Sequence, residues 1–225
     1  MPMDLQTISI PVGKEQVSGL LLRPERAKAL YLFAHGAGAG MKHKAMESNA
    51  QGLAERGIAT LRYQFQYMEK GSKRPDPPKV AHGAVRAAAA KVRKLAPDLP
   101  LFAGGRSFGG RMTSQAQAIE PLPGVRGLPF LGFPLHPAGK PGIERADHLA
   151  QIKIPMLFVS GDRDALAELD LLKGVVATLG SRATLHLVEH ADHSFKVGTR
   201  SGRTGAEVES EALDTLAKWM LERSA

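Results

Sequence analysis

The stretch L-F-A-G-G-R-S-F-G-G, residues 101–110, decides how this chain is read. It opens on a short apolar run, residues 101–103, which marks a buried strand. Beyond the glycines, Met112 and Ala116 stand four apart and begin a helical pattern. Between them G-R-S-F-G, residues 105–109, matches G-x-S-x-G set between a strand and a helix, the context in which that pattern has meaning. The chemistry explains the glycines. A strand that reverses sharply into a helix strains its apex residue, and bulky neighbours must be absent. The apex hydroxyl is then lifted clear of the sheet. The helix start behind it offers unpaired N–H groups to a developing negative charge. Ser107 is therefore the candidate nucleophile.

Working outward, the chain alternates. Residues 5–11 and 16–22 read as a hairpin joined through Gly13. Residues 29–34 are a strongly apolar strand that runs into His35-Gly36-Ala37-Gly38-Ala39-Gly40. Met46, Ala50, Leu53 and Ala54 make a helical face ending near Gly57. Further strands are expected at residues 58–63, 128–133, 155–160 and 183–188. Helices are expected around Val85–Leu95, Leu169–Leu179 and Val208–Trp219. Residues 64–80 read as a long polar loop. Pro129 suits only the start or edge of its strand, because it removes a ladder donor. Strand and helix in turn imply an α/β fold with a mostly parallel sheet, helices on both faces and an antiparallel N-terminal hairpin. Residues 1–225 read as one domain. Residues 134–154 are too few for a cap domain and form a short loop region over the site. In such a sheet, ligands bind at the carboxyl ends of the strands.

Composition narrows the function classes. None of the 225 residues is cysteine, which rules out disulfides and thiolate metal sites and suits a reducing, cytoplasmic setting. Residues 1–6 carry Asp4 and no basic-then-apolar run, so no signal peptide is expected, and no stretch is apolar enough to span a membrane. The net charge is +8, but the basic residues are scattered and aromatics are few, so a nucleic-acid partner is not expected.

A serine hydroxyl is a weak nucleophile at neutral pH and needs a base, itself oriented by a third group. Two carboxylates, Asp162 and Asp164, follow the strand at 155–160. Asp164 is the better placed, since it lies farther along the loop, whereas Asp162 sits in the tight Gly161 turn where Asp commonly bonds its own backbone; the resemblance drawn below supplies part of the preference. Two histidines, His190 and His193, follow the last strand. His193 is preferred, since His190 adjoins the strand and suits a loop-holding role. An oxyanion needs two donors: the N–H of Phe108 is one and the loop after residues 29–34 supplies the other, with Ala37 best placed. That loop is not G-x-G-x-x-G with a later acidic ribose ligand, and no G-K-[ST] follows, so a nucleotide site is the weaker reading.

With these residues in place, the chain resembles the α/β-hydrolase superfamily, in its compact dienelactone-hydrolase-like branch. The resemblance rests on H-G-A-G-A-G (35–40), R-Y-Q-F-Q-Y-M-E-K-G (62–71), G-G-R-S-F-G-G-R (104–111), F-P-L-H-P-A-G-K-P (133–141), G-D-R-D (161–164) and A-D-H-S-F (191–195). It implies the α/β-hydrolase fold without a large cap, a Ser107–Asp164–His193 triad on a nucleophile elbow, and a serine esterase with no cofactor and no metal. Its substrate would be a small ester, lactone or thioester. Two positions depart from the branch: Gln66 stands where proline is usual, and Ala165 rather than proline follows the acid. Some relatives are subunits of chromatin complexes, so the same resemblance also allows a binding module on a hydrolase fold.

His35, Arg106 and His136 are read as substrate contacts. Lys42, Lys44, Lys70, Lys73, Arg74, Lys196 and Arg200 lie on loops that follow strands and would rim one cleft. A rim of one sign attracts opposite charge, so an anionic substrate is expected.

Overall fold

The computed structural model describes residues 3–224. Met1, Pro2 and Ala225 lie outside the described residues. One eight-stranded sheet runs in the order β1-β2-β4-β3-β5-β6-β7-β8. Its strands are β1 (Met3–Val12), β2 (Glu15–Pro24), β3 (Ala29–Ala34), β4 (Ile58–Tyr63), β5 (Leu101–Arg106), β6 (Leu128–Leu131), β7 (Met156–Gly161) and β8 (Ala183–Val188). β1 and β2 pair antiparallel, and β2 joins β4 antiparallel. From β4 to β8 every pairing is parallel.

The period of two along the central strands builds two cores at once. In β3, Leu30, Leu32 and Ala34 enter one cluster with Val85, Ala88 and Met112. Ala29, Tyr31 and Phe33 enter the other with Leu53, Leu216 and Trp219. The first cluster is covered by α3 (Pro78–Leu95) and α4 (Phe108–Ile119), the second by α1 (Lys44–Glu55) and α6 (Gly205–Glu222). A side chain such as Phe33, wholly buried, contributes about 1.5–3 kcal/mol by leaving water. Trp219 is core as its helical position implied, edge-on to Phe102 at 5.9 Å. α6 begins with a reciprocal cap: Thr204 Oγ1 accepts the Glu207 N–H at 3.2 Å, and the Glu207 carboxylate accepts the Thr204 N–H at 2.6 Å.

Three boundaries differ from expectation. Residues 64–80 are not one loop. They hold a four-residue helix, α2 (Gln66–Glu69), and the first turn of α3. A single helical turn leaves no periodic signal, and Pro78 at the first position of α3 is a compatible start rather than loop punctuation. β6 ends at Leu131, not residue 133, because Gly132 turns to φ +63°. Pro129 is the second residue of that strand, near its start. Between β6 and β7 the described elements comprise a short 3₁₀ helix, Glu144–Gln151; the next α-helix, α5 (Leu169–Leu179), follows β7.

Candidate active site

The turn between β5 and α4 holds Ser107 at φ 46°, ψ −117°, a conformation that side-chain-bearing residues rarely adopt. The glycines around it answer to close contacts. A Cβ on Gly105 would stand 2.4 Å from the Ala34 carbonyl oxygen, and one on Gly109 would stand 2.6 Å from the carbonyl oxygens of Ala34 and His35. Serine at a helix N-cap ordinarily bonds its own helix. Here the Ser107 side chain makes no cap bond. Its Oγ lies 2.9 Å from Nε2 of His193.

His193 sits on the loop after β8, between two non-glycine residues of positive φ, His190 (64°) and Phe195 (62°). Its Nδ1 is 2.8 Å from Oδ2 and 2.9 Å from Oδ1 of Asp164. Asp164 follows β7 and its side chain is fully buried. Oδ1 also accepts the N–H of Leu166 at 2.8 Å, which fixes the carboxylate in plane. The Asp162 carboxylate has no such contact, and its Oδ1 is buried without a hydrogen-bond partner. The structure thus brings Ser107, His193 and Asp164 together in one chain of hydrogen bonds. His190 instead meets the Arg163 guanidinium at 3.0 Å.

A cleft of about 530 Å³ opens over Ser107 and His193, lined also by Gly36, Ala37, His43, Met46, Leu131, Leu166 and Lys196. Phe108 is the first residue of α4, so its N–H has no acceptor within the helix. Ala37 lies on the facing loop. That loop is anchored from β4 and the segment after it. Gln64 Oε1 accepts the Met41 N–H at 2.8 Å, the Arg62 guanidinium donates to the Met41 carbonyl at 3.1 Å, and Tyr67 Oη accepts the Gly38 N–H at 3.0 Å.

The three residues read as substrate contacts have other occupations. His35 is wholly buried. Its Nδ1 meets the Gly36 carbonyl at 2.7 Å and its Nε2 accepts the Phe65 N–H at 3.2 Å. Burial, partly offset by the Gly36 carbonyl, pushes its pKa down to about 4. His136 is also buried; it meets the Pro137 carbonyl at 2.9 Å and accepts the Glu168 N–H at 3.3 Å. Neither ring lines the cleft. Arg106 does line it. Two of its N–H groups, however, go to Asn49 Oδ1 (3.2 Å) and the Ser194 carbonyl (3.3 Å), tying the His193 loop to α1. The basic rim is smaller than expected: of its seven members, Lys196 lines the cleft, Lys44 lines an adjoining cavity, and Lys70 is paired with Glu15 at 2.6 Å.

Sequence reasoning placed His43 near a helix start, which the structure bears out, but gave it no part in the site. It caps α1 through Nδ1, which accepts the Ala45 N–H at 3.2 Å, and it also lines the cleft. Its place next to Lys42 and Lys44 in the sequence gave no sign of this. Among the described residues, no three His, Asp or Glu side chains gather so as to hold a metal ion.

Comparisons with known proteins bear on the fold and the family. The family model of the alpha/beta hydrolase domain matches residues 27–221. The chain belongs to the alpha/beta hydrolase family. Its solved neighbours share the fold at low identity. A dienelactone hydrolase from Anabaena variabilis is 22% identical with a TM-score of 0.76, covering 99% of this chain and 97% of that one. An α/β serine hydrolase without lid from Xanthomonas campestris is 19% identical at 0.74, over 97% and 96%. The esterase domain of a Rhodothermus marinus protein is 16% identical at 0.74, over the full length of both. Between β6 and β7 the described elements of this chain comprise only the short 3₁₀ helix Glu144–Gln151. No helix among the described residues is long and apolar enough to cross a membrane.

Proposed function

We propose that this α/β hydrolase cleaves a small carboxylic ester, lactone or thioester, with Ser107 as nucleophile, His193 as base and Asp164 as the group that orients it. The observation that carries this is the unbroken run from Ser107 Oγ to His193 Nε2 (2.9 Å) and from His193 Nδ1 to Asp164 (2.8 Å), on a serine held at φ 46°. In this reading His193 takes the hydroxyl proton as Oγ attacks the carbonyl carbon. Asp164, held by the Leu166 N–H, keeps the Nδ1–H tautomer and steadies the imidazolium. The N–H groups of Ala37 and Phe108 receive the oxyanion. The imidazolium then protonates the leaving oxygen or sulfur, an acyl group stays on Oγ, and water releases it by the same steps in reverse. No metal or cofactor is needed. The open cleft and the short β6–β7 connection among the described residues favour small substrates, and a cytoplasmic, single-domain enzyme fits the composition.

The test is covalent trapping. Incubation with a fluorophosphonate should add one phosphonyl group per chain, and peptide mass mapping should place it on Ser107. A protein that stays unlabelled while hydrolysing no ester from a short-chain panel would favour the binding-module reading.

A further inference from the structure

Arg111 closes the G-G-R-S-F-G-G-R motif, and the triad reading leaves it without a task. It stands on α4 one turn beyond Ser107, its N–H on the Ser107 carbonyl at 3.1 Å. Its guanidinium carbon lies 5.9 Å from the centroid of the Phe108 ring. Its Nε is shut away from solvent and has no hydrogen-bond partner. The same face of α4 carries Ser114 and Gln115, three and four residues on. Ser114 Oγ meets His148 Nε2 at 2.7 Å, and Gln115 Oε1 meets His82 Nε2 at 3.2 Å. His148 belongs to the 3₁₀ helix Glu144–Gln151, and Arg145 lies one turn before it. His82 belongs to α3.

The Arg111 guanidinium and the His82 and His148 imidazoles therefore meet along one face of α4 from three elements, with Arg145 one turn before His148 on the 3₁₀ helix. The ion pairs among the described residues include neither Arg111 nor Arg145. Their like charges bear on one another's ionisation. Burial, and then the charge of Arg145, lowers the Arg111 pKa. Burial, then Arg111 and His82, brings His148 down to about 4. His82 is lowered chiefly by burial, opposed by its Gln115 bond and helped by Arg86 and Arg111.

We infer that Arg111 and Arg145, with His82 and His148 around them, form a binding site for an oxyanion group, a carboxylate or a phosphate, one helical turn from Ser107. A guanidinium half sunk in protein without an anion is costly, and like charges beside it add to the cost. A carboxylate or phosphate matches the planar fork, gives the buried Nε an acceptor and reverses the repulsion. The group comes either from the substrate itself or from a free oxyanion.

The site is tested apart from the hydrolase reading by using full-length Ser107→Ala protein. Ring resonances of His82 and His148 are followed by NMR while sodium phosphate, and separately glutarate, replaces sodium chloride at constant ionic strength. Saturable shifts of both rings are expected, with their titrations moving to higher pH when the anion is bound. Arg111→Gln should weaken this binding at least ten-fold; Arg145→Gln, whose side chain lies on the short 3₁₀ helix, should weaken it several-fold and serves if the first variant does not fold. No saturable shift with either anion, or equal affinity in the folded variants, overturns the site. The source follows from wild-type kinetics. A p-nitrophenyl hemiglutarate favoured over p-nitrophenyl butyrate, with the preference lost in Arg111→Gln, assigns the site to a substrate carboxylate. Equal rates alongside persistent phosphate binding assign it to a free oxyanion. Binding by a protein that hydrolyses no ester keeps the site and removes the enzyme.

Discussion

Nε2 of His35 accepts the backbone N–H of Phe65 at 3.2 Å, and so stitches the end of β3 to the chain leaving β4. The bond requires an unprotonated Nε2, and burial supplies one by holding His35 near a pKa of about 4. His148 is held down to about 4 as well. Both lie below the ordinary value of 6.5, so the unfolded chain binds more protons between these limits. Their contribution is full above pH ~6.5 and is lost as pH falls toward ~4, on the order of 3 kcal/mol for His35. The depressed carboxylates, such as Asp98 beside Arg23, lose theirs lower, below about pH 4. The urea midpoint should therefore already drop between pH 7 and 5, and His35→Gln should flatten that drop. A wild-type midpoint level across this window would contradict the assignment.

Besides His35, the loop that carries Ala37 is fastened by Tyr67, Gln64 and Arg62. Tyr67→Phe removes the acceptor for the Gly38 N–H. The expected result is a fall in kcat of about ten-fold with KM little changed, since the loss is felt where negative charge develops. A rise in KM at constant kcat would instead place Tyr67 in ground-state binding.

Asp164 and Asp162 offer a matched comparison. Asp164 bonds His193 twice, while Asp162 does not reach it. Asp164→Asn should lower kcat by about 10³–10⁴-fold through the wrong tautomer. Asp162→Asn should leave the rate within a few-fold. Steady-state assay of both folded variants checks the ranking, and the reverse order would move the acid to Asp162.

Charge at the cleft mouth rests on Lys196 more than on the loop after β4. Lys196→Glu should reduce kcat/KM for an anionic ester in low salt, and the difference should shrink as salt rises to about 0.15 M, where exposed charges are screened over about 8 Å. Lys73→Glu should have little effect. Equal responses of the two variants would show a diffuse field rather than a local one.

Much of this arrangement was legible in the sequence because it rests on local rules. The apolar run of β3, the apolar start of β5 and the glycines at 105 and 109 follow from backbone geometry, and the order of Ser107, Asp164 and His193 is what the family resemblance implies. The illegible parts depend on chain crossings. Arg62, Gln64 and Tyr67 grip a loop some 21 to 29 residues away, and no periodicity encodes that. His35 and His136 look like ligands in a glycine- or proline-rich stretch, yet tertiary packing turns both rings to backbone groups. His43 reads as a helix start and also walls the cleft.

The central claim is that Ser107 is the nucleophile. The most direct measurement is the rate of hydrolysis of short p-nitrophenyl esters by purified Ser107→Ala protein beside the wild type, with folding of both verified. The account predicts a loss of about 10³-fold or more in kcat, because the members of such a triad act as a unit. A Ser107→Ala enzyme that keeps its rate within ten-fold of wild type would contradict it.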